Sequence, residues 1–282
     1  MIGAYYKLGK PGIIYGNAIT AAAGFLLASH GAISLPFFIA VEAGLSLIVA
    51  SACVFNNVLD RDIDAQMERT KHRALVVGTI PAHHAIMYGS ILGLSGIIVL
   101  FIHTNLIATC VAFFGFAIYI ALYTPLKRIS MHATLVGALA GAVPPVVGYV
   151  AVTNTFDLAP ALLFVILICW QMPHFFAIGI YRLKDYTAAS IPILPVKSVS
   201  QAKIQIMLYI LAFSVAALAL FRYGYVGSVY ALIMAFLCLL WLSLALAMFR
   251  GRDDTLAARK VFLFSLVVIM SWSVLVAIDF AR

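Results

Sequence analysis

Residues Phe37–Phe55 read FFIAVEAGLSLIVASACVF and run straight into Asn56–Arg73, NNVLDRDIDAQMERTKHR. Nineteen residues with Glu42 as the only charged group are long enough to cross the hydrocarbon core of a bilayer as a helix. The next eighteen hold four of the chain's ten carboxylates (Asp60, Asp62, Asp64, Glu68) and four of its eighteen Lys and Arg (Arg61, Arg69, Lys71, Arg73). The first half fixes the fold class as helical and membrane-spanning. The second asks why so apolar a chain gathers charges of both signs at one helix end.

The rest of the chain repeats the first half of that pattern. With 65% hydrophobic residues, 10% charged residues and a mean hydropathy of +1.09, a water-soluble core is excluded. Apolar runs cut at polar clusters predict nine transmembrane helices, at 12–29, 36–57, 85–102, 106–123, 133–152, 160–181, 204–221, 228–249 and 262–280. Residues 1–282 read as a single all-α, polytopic membrane domain, without linker or soluble part. The first apolar run follows Lys7 and Lys10 as a signal peptide's would, but it is long enough to span and reads as retained. Four helices separate the two long polar loops, 58–84 and 182–203, which hints at a duplicated four-helix unit with a ninth helix appended.

Nine spans put the termini on opposite faces. With a cytoplasmic N-terminus, that face carries all but Arg222 and Arg282 of the eighteen Lys and Arg. The net charge of +8 is then an orientation signal and a contact with anionic lipid, and nucleic acid need not be invoked. The expected location is the cell inner membrane. Cys53, Cys110, Cys169 and Cys238 fall singly in separate spans, without metal-ligand or disulfide spacing, and read as core filler.

Asn56, Asp60 and Asp64 are spaced i, i+4, i+8, so on a helix continuing out of the second span they turn by only about 40° per step and form one oxygen-bearing stripe. Asp62 points away. Hard oxygen ligands without a Cys or His cluster suit Mg²⁺, which takes one or two carboxylates and completes its shell with water and substrate phosphate. Arg69, Lys71 and Arg73 complement phosphate oxygens that the metal leaves uncovered. A diphosphate between carboxylate-held metal and basic groups makes the mixed cluster electrically sensible.

In the second long loop Asp185 extends from the sixth span as Asp60 does from the second. His174, Tyr181 and Asp185, at i, i+7 and i+11, share a helical face within about 20°. That stripe leads from a charged mouth into an apolar interior, as an amphiphile with a diphosphate head and hydrocarbon tail requires. Pro173 is expected to disturb the sixth helix beside His174, and Pro144-Pro145 to break the fifth. The 124–132 and 250–260 connections read as compact basic turns away from the chemistry. Tyr181 and Tyr186 read equally as cavity residues or interfacial aromatics. His174 reads as a substrate contact or as a hydrogen-bonded bundle residue.

The stripe resembles the NxxxDxxxD motif of the UbiA-type intramembrane prenyltransferases. The segments KPGIIYGN, NNVLDRDID, MERTKHR, GAVPPVVGY, WQMPHF, YRLKDY and IPILPV resemble a haem-farnesylating branch of that family and cover the chain from Lys10 to Val196. The resemblance implies a bundle around a central cavity capped by the two polar loops, with farnesyl diphosphate and haem B as substrates. It further implies Mg²⁺ on Asn56, Asp60, Asp64 and Asp185, diphosphate contacts from Arg69, Lys71, Arg73 and Lys197, and haem or cavity contacts from His174, Tyr181 and Tyr186. Haem A synthase or terminal-oxidase assembly are implied partners. Where relatives carry a second DxxxD motif, this chain has Tyr181 at the first position. Two rivals remain: a prenyltransferase for an aromatic or quinone precursor, and a cation or proton transporter built on Glu42 and His174.

Overall fold

The computed structural model describes residues 2–251 and 253–280. Arg252 and Arg282, which enter the charge-bias argument, lie outside the described residues. Among those described, nine helices are long and apolar enough to cross a membrane: Pro11–Ser29, Leu35–Leu59, Ala82–His103, Leu106–Leu126, Ala133–Thr153, Leu158–Tyr181, Val199–Arg222, Ser228–Ala247 and Asp254–Ile278. They are called the first to ninth spans below. The protein is a multi-pass, all-helical membrane protein.

The two spans with the largest boundary shifts have local causes. The ninth begins at Asp254, well before the apolar run, because Asp253 caps it by accepting from the backbone N–H of Thr255 (2.9 Å) and Leu256 (3.1 Å). Lys203, which donates to Asp254 (2.5 Å), lies in the polar first turns of the seventh span, which starts at Val199. Proline acts at one predicted position and not at the other. The fifth helix breaks at Ala142, between Ala133–Gly141 and Val143–Thr153, so that Pro144 opens the second segment, where a missing N–H costs little. The sixth helix runs through Pro173 without a break, contrary to the sequence expectation.

Consecutive spans pack side by side, and the ninth returns against the first, closing a ring. The second packs along the third, and the sixth against both the seventh and the ninth. The first and fifth cross at backbone contact. A Cβ on Gly24 would strike the carbonyl of Pro145, and one on Gly148 the carbonyl of Ala21. Where lipid gives helices little hydrophobic reason to associate, such small residues permit the close packing that holds them. Gly24→Ala is therefore expected to destabilise the bundle by about 1–3 kcal/mol through overpacking. Gly3→Ala, with nothing within 4 Å, should leave the thermal midpoint in detergent unchanged.

The outer faces stay apolar. Ile91, Leu94, Ile98 and Phe101 on the third span and Leu232, Phe236 and Leu239 on the eighth are exposed at helical spacing, as lipid-facing stripes are. Inside, Trp241 and Trp272 are fully buried, and Trp241 donates its indole N–H to the Val261 carbonyl (3.2 Å). At one end of the bundle the two long loops meet. Ile63 and Met67 of the first pack with Ala189 and Ile191 of the second, flanked by Tyr186 and Ile193. This small apolar cluster ties the loops together across the ring.

Candidate active site

Between the spans, under these loops, lies a cavity of about 900 Å³. Its mouth is polar and its interior apolar and aromatic, including Phe116, Tyr119, Tyr123, Trp170, Phe175 and Phe262. Asn56, Asp60 and Asp64 all line it and are almost fully buried, at 2%, 3% and 5% exposure. The second span ends at Leu59, Asp60 caps it, and a short helix, Arg61–Asp64, continues in nearly the same direction of turn. The three oxygens thus stay on the cavity side although the helix is interrupted.

Each of these acceptors already has a cation. Lys10 donates to Asn56 Oδ1 (2.6 Å), Lys127 to Asp60 Oδ2, and Arg73 to Asp64 Oδ2 (2.5 Å). Arg73 also donates to Asn57 Oδ1 (3.0 Å), and Asn57 Nδ2 to the Leu8 carbonyl (2.8 Å). The N-terminal helix Ile2–Leu8, the second span and the first loop are thereby linked by one polar chain. Burial pulls Lys10 down to about 8 and lowers Lys127, whose fall the facing Asp60 opposes.

The fourth span brings Lys127 in by an irregular turn. Residues Ile118–Tyr123 form a wide π-type turn, in which the Thr124 hydroxyl donates to the Tyr119 carbonyl (2.8 Å) and accepts from Asn56 Nδ2 (3.2 Å). Such bulges re-aim side chains, and here Tyr119 and Tyr123 both reach the cavity, their rings 5.1 Å apart. Lys127 lies 5.6 Å over the Tyr123 ring.

Asp62 does point away. It takes both arms of Arg128 (2.7 Å each), and that guanidinium holds its carboxyl down at about 2. From the end of the sixth span and the second loop, Tyr181, Asp185 and Tyr186 line the cavity, joined by Arg182. Arg182 also stacks on Tyr181 at 4.7 Å. Burial raises the Tyr186 phenol. Arg69 lines the mouth, exposed. His174 lines the cavity deeper along the sixth span, its Nδ1 2.7 Å from Ser265 Oγ.

Two expected anion contacts lie elsewhere. Lys71 is not a cavity residue; it pairs with Glu68 (2.7 Å), three positions back on the same turn of chain. Lys197 is exposed beyond Pro195 and also outside the cavity lining. Two other cations line the cavity beside the acceptors, Lys10 and Lys127. Lys127 comes from a connection that its shortness marked as remote, and which instead reaches Asp60. The metal expectation meets a further limit: among the described residues no three His, Cys, Asp or Glu side chains converge as a metal centre. The donors still suit Mg²⁺, because Asp60 Oδ1 is buried without a hydrogen-bond partner, an acceptor waiting for a cation. Glu42 lies outside the cavity lining, with Oε1 likewise unpartnered.

Residues 17–267 match the model of the UbiA prenyltransferase family. The chain belongs to that family. Over 283 residues it is 50% identical to a protein of Edwardsiella ictaluri named protoheme IX farnesyltransferase, covering 100% of this chain and 96% of the relative. A protein of Pseudomonas fluorescens named protoheme IX farnesyltransferase 2 is 50% identical over 278 residues, covering 98% and 94%. Among solved structures, a digeranylgeranylglyceryl phosphate synthase superposes with a TM-score of 0.80 at 16% identity, covering 98% of each chain. A UbiA homolog from Archaeoglobus fulgidus bound to GPP and Mg²⁺ superposes with a TM-score of 0.72 at 14% identity, covering 97% and 99%. These two share the fold.

Proposed function

We propose that the chain transfers the farnesyl group of farnesyl diphosphate to a vinyl group of haem B, with addition of water, in the cell inner membrane. The observation that carries this reading is the continuity of the site. Buried oxygen acceptors and their paired cations stand at the mouth of an apolar, aromatic cavity of about 900 Å³. The full-length likeness to relatives named for farnesyl transfer to protohaem supports the choice of donor and acceptor. A transporter is disfavoured by the same layout, because its acids should face one another near mid-membrane, whereas Asp60 and Asp64 lie at the end of the bundle, beside the loops.

In this reading Asn56, Asp60 and Asp64 hold Mg²⁺, with Asp185 on the opposite wall. When bound there, Mg²⁺ supplies Lewis-acid neutralisation of the diphosphate. Lys10, Lys127, Arg69 and Arg73 donate to the phosphate oxygens and stabilise the charge that grows as the allylic C–O bond breaks and its electron pair leaves with diphosphate. In the resting site Lys127 and Arg73 neutralise Asp60 and Asp64 while Lys10 donates to the neutral Asn56 amide oxygen, so the mouth is preorganised. Tyr119 and Tyr123 bring aromatic rings to the side of the cavity where the allylic cation forms, and the apolar walls keep bulk water from it. The vinyl π electrons form the new C–C bond. The cation left beside the porphyrin takes a water oxygen, which loses a proton and leaves a hydroxyl.

The reading also places the loops on the cytoplasmic side, with the N-terminus, as the distribution of basic residues favours. A Cys placed at His72 or Lys197, both exposed, should react with impermeant reagent only from the cytoplasmic face, and one at exposed Asn154 only from the other. The reverse pattern would contradict the orientation.

A further inference from the structure

Ser265 of the ninth span is fully buried and holds two residues of the sixth span at once. Its carbonyl accepts the Trp170 indole N–H (2.8 Å), and its hydroxyl lies 2.7 Å from His174 Nδ1. Trp170 and His174 are four positions apart on one helix face, their rings 4.8 Å apart and tilted by 31°. Phe262 packs against the same imidazole at 5.0 Å, tilted by 53°. The ring is thus clamped by Trp170, Phe262 and Ser265, and all three aromatic groups line the cavity.

The hydroxyl settles which nitrogen carries hydrogen. Ser265 Oγ lies 2.6 Å from the Phe262 carbonyl, which only accepts, so the single hydroxyl proton is used there. Toward His174 the oxygen must then accept, which places the hydrogen on Nδ1. In the neutral imidazole, Nε2 is left with its lone pair, and it is the nitrogen not engaged by the ninth span. A histidine whose far N–H is hydrogen-bonded, leaving the other nitrogen free, has the usual arrangement of a metal-ligating imidazole.

We propose that His174 is an axial ligand of the iron of bound haem, through Nε2, and that Ser265 is the positioning residue that fixes its tautomer and ring angle. This rests on the reading of haem as the acceptor. An iron–imidazole bond in the cavity interior anchors the porphyrin plane and leaves the vinyl edge to be turned toward the allylic carbon at the mouth. No bond of the substrate is made or broken by this ligation.

The test uses the purified full chain in detergent with haem B. The parent should show the resonance Raman iron–imidazole stretch of a histidine-ligated ferrous haem. His174→Ala should lose that band and bind haem about tenfold or more weakly, while a non-hydrolysable farnesyl thiodiphosphate binds as to the parent. Added imidazole should restore the band, which shows that the variant is folded. Ser265→Ala should keep the ligand but shift the band and weaken haem binding by about tenfold. An unchanged band in His174→Ala, or an unshifted band and parental haem affinity in Ser265→Ala, overturns the assignment. Farnesyl transfer is scored separately. A parent that farnesylates haem without an imidazole signature overturns the ligand and leaves the function standing, and a parent that carries the signature but transfers nothing does the reverse.

Discussion

Asp60→Asn and Asp64→Asn are each expected to lower farnesyl transfer by about 10²–10³-fold or more with the protein still folded, because each removes negative charge from the site proposed to hold the metal against the leaving diphosphate. Asn preserves the shape of the buried side chain. Asp62→Asn is the internal control. Its partner Arg128 is on the exterior side, and an exposed pair is worth so little that activity should stay within about fivefold of the parent. Steady-state rates of the three variants, with thermal midpoints alongside, decide the matter. Equal losses in all three would contradict the division of the first loop into a cavity face and a solvent face.

Lys127→Met is expected to have the next largest effect, and on two quantities. The pair it forms with Asp60 is buried on both sides, with side-chain exposures of 13% and 5%. Removing one member of a buried pair leaves an uncompensated charge and typically costs about 3–5 kcal/mol. Asp60 Oδ1 is already unpartnered, so the carboxylate has little to fall back on. Activity should fall by about 10²-fold, since the same ammonium is assigned to the diphosphate. A double-mutant cycle separates the two effects: adding Asp60→Asn to Lys127→Met should recover much of the stability and none of the activity. Recovery of both, or of neither, would contradict the dual role.

The helices and the acidic stripe were legible because their information is local. Length and hydropathy mark a span, and i, i+4, i+8 spacing puts Asn56, Asp60 and Asp64 on one face even though the helix is capped between them. The break before Pro144 was legible for the same reason. The cations were not. Lys10 reaches Asn56 across 46 positions and Lys127 reaches Asp60 across 67, and no periodicity reports a contact that only the ring of helices creates. Nearness in sequence favoured Lys71 instead, which the adjacent Glu68 captures. A short, basic 124–132 turn read as an orientation signal, yet a π-type turn ahead of it swings Lys127 inward. His174 was placed on the cavity face by spacing with Tyr181 and Asp185, but its hold on Ser265 of the ninth span is again tertiary.

The most direct test of the central claim is the mass of the porphyrin recovered after the purified protein is incubated with haem B, farnesyl diphosphate and Mg²⁺. The account predicts a product heavier than haem B by one farnesyl group and one hydroxyl, formed together with diphosphate and lost in Asp60→Asn. Recovery of unaltered haem B, with the farnesyl group on an aromatic or quinone precursor supplied in the same mixture, would contradict it.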